Sequence, residues 1–484
     1  MTTSKKNKGS ILISVIIFAT IATIIIIGLV NWGASVLGSI RNLSAREQVF
    51  QIAEAGVDYY QWHLAQFPTD YKDGTTTPGP YTHDFYDKDG YLLGAYSLTI
   101  TPPQVGSTIV KIVSEANLAS SSIKRKIQKT LAIPSLAKYA VVANDNLRFG
   151  EGTVVFGPVQ ANGGIRFDGV AHNLISSAKN TYTDPDTGAT KWGVYTTSGT
   201  DDPNPPTLAN NRPDVFMAGR QYPVPAVDFA GLTAGLTQLR ALAQPAAGGK
   251  EWPSSGKKGY HIMFKVSGGV TSYDLYKVNN LQTVSTSCSN NVTANSQVQW
   301  GTWSIKTPIN SNQTLVGNYS IPANGVIFFN DHVWVDGTIN NARITVVAGI
   351  IGNTDPDKHA NITINSDLNY TDYNGIDTIG LIAQGNINAG MLSDDNLNID
   401  AALVAENGRV GRFYYNSSCT NSVRNSLTLN GMIASYNRYG FAYTDDTGYK
   451  TRNINYDGRL LYGPPPSFPQ ATTQYEVISW QELK

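Results

Sequence analysis

Four carboxylates fall close together in a chain that is only 15% charged: Asp394, Asp395, Asp400 and Glu406. Paired carboxylates flanking a glycosidic bond are what sugar cleavage requires, one as acid and one as nucleophile or base. Acidic oxygens also hold calcium. Asp394 and Asp395 follow Ser393 in a turn-like stretch, however, and there a solvated corner is the expectation. None of the six histidines, His63, His83, His172, His261, His332 and His359, sits in a Gly-His-Gly triplet. Gly-x-Ser-x-Gly, His-Glu-x-x-His and phosphate-loop patterns are missing from the sequence. No catalytic residue, metal ligand set or cofactor is therefore assigned, and an enzyme acting on polysaccharide stays as the competing reading.

Three further groups of residues bear on chemistry. Asp87-Lys88-Asp89-Gly90 has part of a calcium-loop pattern, but Phe85 stands at the first ligand position and Tyr96 at the last, so a turn is expected. Cys288 and Cys419 are the only cysteines and have no Cys or His at zinc spacing. A disulfide in an oxidising exterior and two isolated thiols are both open. Formal net charge is zero, and beyond the first residues no basic cluster interleaves with aromatics. Binding of nucleic acid by a folded patch is unsupported on that ground, because phosphate affinity rests on concentrated Lys and Arg.

The element that must position everything else is the apolar run from Ser10 to Ile40, opened by Lys5, Lys6, Lys8 and Gly9 and free of charge until Arg41. It is long enough to cross a bilayer as a helix, and longer than the apolar core of a secretory signal. The lysines place the N-terminus in the cytoplasm and about 440 residues outside. Leu43, Phe50, Val57 and Leu64 recur every seventh residue, and Arg46, Ala53, Tyr60 and Phe67 form a second row. Such a stripe suits a helix packed along another helix. Pro68 ends it, which predicts a helix of about 58 residues and about 87 Å over 10–67.

The lysine leader ending in Gly9, the abrupt apolar helix and Gln51-Ile52-Ala53-Glu54-Ala55-Gly56-Val57 resemble the N-terminus of type IV pilin-like proteins of the PilX class. The resemblance implies cleavage between Gly9 and Ser10 by a prepilin peptidase. It also implies assembly of the helix, Glu54 included, with other pilin-like subunits. Major pilins carry Glu at the fifth mature position, where this chain has Ser14. An amine left unpaired in an apolar fibre core is costly. The resemblance therefore points to a minor or tip subunit.

After a loop at 69–80, the alternating runs Tyr91–Thr101, Ser107–Ala119 and Ser121–Ile133 predict a small antiparallel sheet, so that 68–135 forms a pilin-like β region. From Tyr139 an element recurs: Ala140-Val-Val-Ala143, Gly380-Leu-Ile-Ala383, Ala402-Leu-Val-Ala405 and Gly431-Met-Ile-Ala434. Strands near 362, 381 and 399 are spaced about 18 to 19 residues apart, the scale of one coil in a stacked-repeat protein. The expectation for 136–470 is a right-handed parallel β-helix or solenoid, with a β-sandwich as the alternative. Residues 176–300 are expected as an insertion over one face, with a helix at 232–243. Tyr456 to Pro469 and Trp480 are expected to close the last rung, leaving 471–484 as a tail. The whole reads as a single-pass, mainly β surface protein whose ectodomain serves assembly or adhesion to surface glycans or to host or neighbouring cells.

Overall fold

The computed structural model describes residues 10–104, 107–229, 235–283, 288, 302–306 and 309–483. The chain is mainly β, with a long N-terminal helix and several sheets, and divides into two units. One comprises Met1–Pro102, Val110–Ala132 and Gln474–Lys484; the other comprises Pro103–Ile109 and Ile133–Thr473.

The first unit is built on helix α1, Ser10–Gln66, 57 residues without a proline and about 86 Å long. Its hydroxyls do not compete with the backbone ladder: Thr20 Oγ1, Thr23 Oγ1 and Ser39 Oγ donate to the carbonyls of Ile16, Ala19 and Ser35 at 2.6, 2.7 and 3.0 Å. Phe67 N still donates to His63 O, and Pro68, which has no N–H, stops the helix. Strands β1 (Tyr81–Tyr86), β2 (Leu92–Thr101), β3 (Val110–Leu118) and β4 (Lys124–Ala132) pair antiparallel in order. Glu476–Leu483, expected as part of a tail, is a fifth strand, antiparallel to β4. Along β3 every second residue is buried, Val110, Ile112, Ser114, Ala116 and Leu118, which gives the sheet one apolar face for the helix.

The second unit has three long parallel ladders and a shorter one that joins Leu147, Ile165 and Val194. In the first, Ile327 pairs with Val346, Val346 with Leu381, Leu381 with Leu403, Leu403 with Ile433, Ile433 with Val141, Val141 with Val159 and Val159 with Ile175. All eight are fully buried, in one apolar cluster. A second ladder carries Tyr260, Val333, Ile362, Ile387 and Val410 in register, and a third carries Leu368, Ile399, Leu429, Ile454, Val155 and Ala171. Their side chains belong to the same cluster, so the ladders share one core.

Period-two alternation sends the intervening residues of the first ladder outward, and these are apolar too: Phe328, Val347, Ile382, Val404, Met432 and Val142. They are covered by helix α2 (Gly235–Leu242), through Leu236 and Leu239, and by Leu460 and Phe468. Two polar groups fasten the second cover: the half-buried Arg343 donates through Nη2 to Gly463 O at 2.7 Å, and the buried Thr345 Oγ1 donates to Pro466 O at 2.5 Å.

Three expectations change. Residues 176–300 are not a single insertion, because Lys250–Trp252 pairs parallel with Val326–Phe329, and Gly259–Ser267 with Val333–Ile339; both belong to the ladders. Their partners follow only some seventy residues later, which hides the pairing from a local reading. The helix expected at 232–243 is α2, with residues 230–234 outside the described set. The fourth repeat copy is displaced by one residue: Met432, not Gly431, lies opposite Ala402. A one-residue slip exchanges faces, so Ile433 enters the core and Met432 joins the outer cluster.

Candidate functional site

Every described position from Ile11 to Leu43 except Gly33 is exposed, including Ile16, Ile24, Leu29 and Ile40. The helix is long and apolar enough there to cross a membrane, by length and composition. Gly9 and the leader lie outside the described residues; Ser10 opens α1.

The heptad row has two fates. Leu43 is 69% exposed, and Phe50 is half-buried. Val57 and Leu64 are 0% exposed because they pack with Val49, Ile52, Ala53 and Tyr60 against Leu98, Ile112, Ile127 and Leu131 of the chain's own sheet. These two side chains are therefore spent within the chain and do not meet a neighbour. Glu54 is half-buried. Gly56 faces the sheet: a Cβ there would run into Ser114 Oγ and come to 2.8 Å from Tyr96 Cδ2. The glycine sets how closely helix and sheet approach.

Polar contacts secure this docking. Lys129 Nζ pairs with Asp58 Oδ1 at 2.7 Å. Arg125 grips Glu482 with two bonds of 2.6 and 2.7 Å, and its guanidinium lies 4.7 Å from the Phe50 ring centre, while Trp480 meets the same ring edge-on at 6.0 Å. The Glu482 bond holds the Arg125 guanidinium above its ordinary pKa. In the loop after the helix, Asp70 accepts from Lys72 N and Gly74 N and pairs with the His63 ring. Burial opposes its charge, yet these bonds leave its carboxyl below the usual range. Neither Arg125 nor Trp480 carries a sequence signal, since their partners lie at opposite ends of the chain.

The carboxylates singled out for sugar chemistry fall in two places. Asp400 is fully buried: one oxygen accepts from Tyr370 N and Tyr373 OH, both at 2.8 Å, and the other from Asn430 Nδ2 at 2.7 Å. Asp394 accepts from Ser366 Oγ and Asp367 N, and Asp395 from Asn425 N. These three join neighbouring strands of the third ladder. Glu406 lies elsewhere, in the wall of a cavity of about 870 Å³ beside α2, with Leu136, Tyr139, Gln160, Leu239 and Phe468. Its residue is 2% exposed, and burial pushes its carboxyl up to about 9.

Asp87 Oδ1 accepts from Asp89 N and Tyr91 N, a local turn. Among the described residues no group of three or more His, Cys, Asp or Glu is placed to hold a metal ion. Cys288 and Cys419 are joined in a disulfide, buried with Trp303, Trp334, Phe413 and Tyr415.

No protein-family model matches the chain, and no curated protein does. Among solved structures, the competence-associated pilin ComZ from Thermus thermophilus aligns at 14% identity over 91% of this chain and 98% of its own, with a TM-score of 0.32.

Proposed function

We propose that this chain is a minor pilin-like subunit of a type IV pilus or a related surface appendage. The observation that carries the reading is the division of α1. Its apolar first half is exposed, while the half from Val49 is docked on an antiparallel sheet. Exposed Ile, Leu and Val in such number require lipid or other apolar helices as solvent. In this reading the N-terminus is cytoplasmic and the ectodomain outside. A prepilin peptidase cuts between Gly9 and Ser10, and Ile11 to Leu43 move from bilayer to the helices of other subunits. Ser14 in place of a carboxylate favours a tip or accessory place.

The second unit is then a right-handed β-solenoid carried to the surface. Three parallel ladders around one core support a solenoid over a β-sandwich, whose pairing is antiparallel. Its work is structural or adhesive, toward glycans or other cells, and not catalytic. What favours this is the engagement of Asp394, Asp395 and Asp400 in bonds between strands, where carboxylates serving as acid and nucleophile need to face substrate.

The test is N-terminal mass mapping of protein from native cells, with Gly9→Ala beside it. A start at Ser10 that the substitution abolishes is expected. An intact N-terminus would leave a tethered surface protein, and a start near residue 36 to 40 a secreted one; either removes the pilus assignment.

A further inference from the structure

Among the described residues, the cavity beside α2 has one buried side-chain oxygen with no partner. Tyr139 OH donates to Gln160 Oε1 and Gln160 Nε2 donates to Pro225 O, both at 2.7 Å, so these wall groups satisfy one another. Leu136, Leu239 and Phe468 supply apolar wall. Among the described lining residues, Glu406 is left over: it is 98% withdrawn from solvent, and its Oε2 has no hydrogen-bond partner. A carboxyl oxygen left unpartnered in such a place is destabilising, and a bound partner is one way to complete it.

We propose that this cavity is a binding site for a small molecule with an apolar body and a primary ammonium group, the ammonium pairing with Glu406. The apolar wall takes the body, and Glu406 is the acceptor. An ammonium suits it better than a hydroxyl, because a charge-assisted bond is roughly twice as strong as a neutral one, and more so away from water. The empty site holds its carboxyl protonated at neutral pH, and the bound ammonium displaces that proton to solvent. Glu406 therefore goes from neutral acid to carboxylate while the ligand keeps its charge. Lys138, whose Nζ lies 5.2 Å from the Tyr139 ring centre, and Asp228 also line the cavity.

The experiment is isothermal titration of the full chain in detergent micelles with 2-phenylethylamine, and with 2-phenylethanol as the uncharged counterpart, at pH 7 in two buffers of different ionisation enthalpy. Binding of the amine with release of about one proton is expected. Glu406→Gln should weaken the amine about tenfold or more and leave the alcohol unchanged. Overturning results are absence of amine binding below about 10 mM, binding without proton release, or equal loss of both probes in the variant. Should Glu406→Gln fail to fold, proton release by the unmodified chain decides alone.

Discussion

Ile433 lies opposite Val141 in parallel register, so a strand from near the end of the second unit stacks on one from near its beginning. The ladder runs outward from Val141 through Val159 and Ile175 in one direction. In the other it runs through Ile433, Leu403 and Leu381 to Val346 and Ile327. The chain builds one arm, passes along the ladder through α2, and builds the other arm back to its starting strand.

The junction is a continuous apolar column, and both residues are 0% exposed. Ile433→Ala is expected to cost about 2 to 5 kcal/mol, as deletion of a buried aliphatic group does. Urea unfolding of the second unit should move its midpoint at nearly constant slope. Phe328→Ala, outward beneath α2, should release α2 to proteolysis first.

Gly56 is expected to be the least tolerant glycine of α1. Gly56→Val places a branched side chain against Ser114 and the Tyr96 ring, and overpacking of this kind costs about 1 to 3 kcal/mol. Gly38→Val meets nothing within 4 Å and serves as control. Thermal melts followed by Trp62 and Trp480 fluorescence report on this unit.

Removal of residues 474–484 is expected to uncover the outer edge of β4, from Lys126 to Ala132. Unpaired strand edges recruit other strands. Size-exclusion chromatography should show self-association of the shortened chain. Arg125→Ala alone should leave it dispersed, because the pair with Glu482 is partly exposed and worth about 1 kcal/mol or less.

The long apolar helix was legible because Ile11 to Ile40 carries no charge and no proline, a run of the length a membrane-spanning helix needs. The stripe of Leu43, Phe50, Val57 and Leu64 was read as packing along another helix; only Val57 and Leu64 are fully buried, and against a sheet, because a sheet and a second helix ask for the same spacing. The ladder strands were legible at Leu381 and Leu403, where small, large, large, Ala recurs in register. Stacking order was not, because a parallel ladder has no short turn to fix which strand lies next. Glu476–Leu483 was hidden for the same reason: its partner β4 is joined to it through the whole second unit. Glu406 looked like one more acid beside Asp400; both are buried, and what separates them is that Asp400 has partners for both oxygens while Glu406 Oε2 has none.

Glu406 also predicts a sign for the pH dependence of stability. Below about 4.5 its carboxyl is protonated in both folded and unfolded chains and contributes no difference. Between about 4.5 and 9 the folded chain keeps a proton that the unfolded chain has released, so each rise in pH favours unfolding. Above about 9 both forms are ionised and the loss is complete. His261, whose burial is outweighed by Asp336 and Gln313 so that its pKa is raised, adds a decline above the ordinary histidine range; His332, lowered to about 4 by burial, adds a loss on the acid side. The difference between Glu406→Gln and the unmodified chain removes both. Urea midpoints at pH 5 and pH 8.5 should show the substitution increasingly favourable at the higher pH, and a difference independent of pH would mean that Glu406 is already ionised in the folded chain.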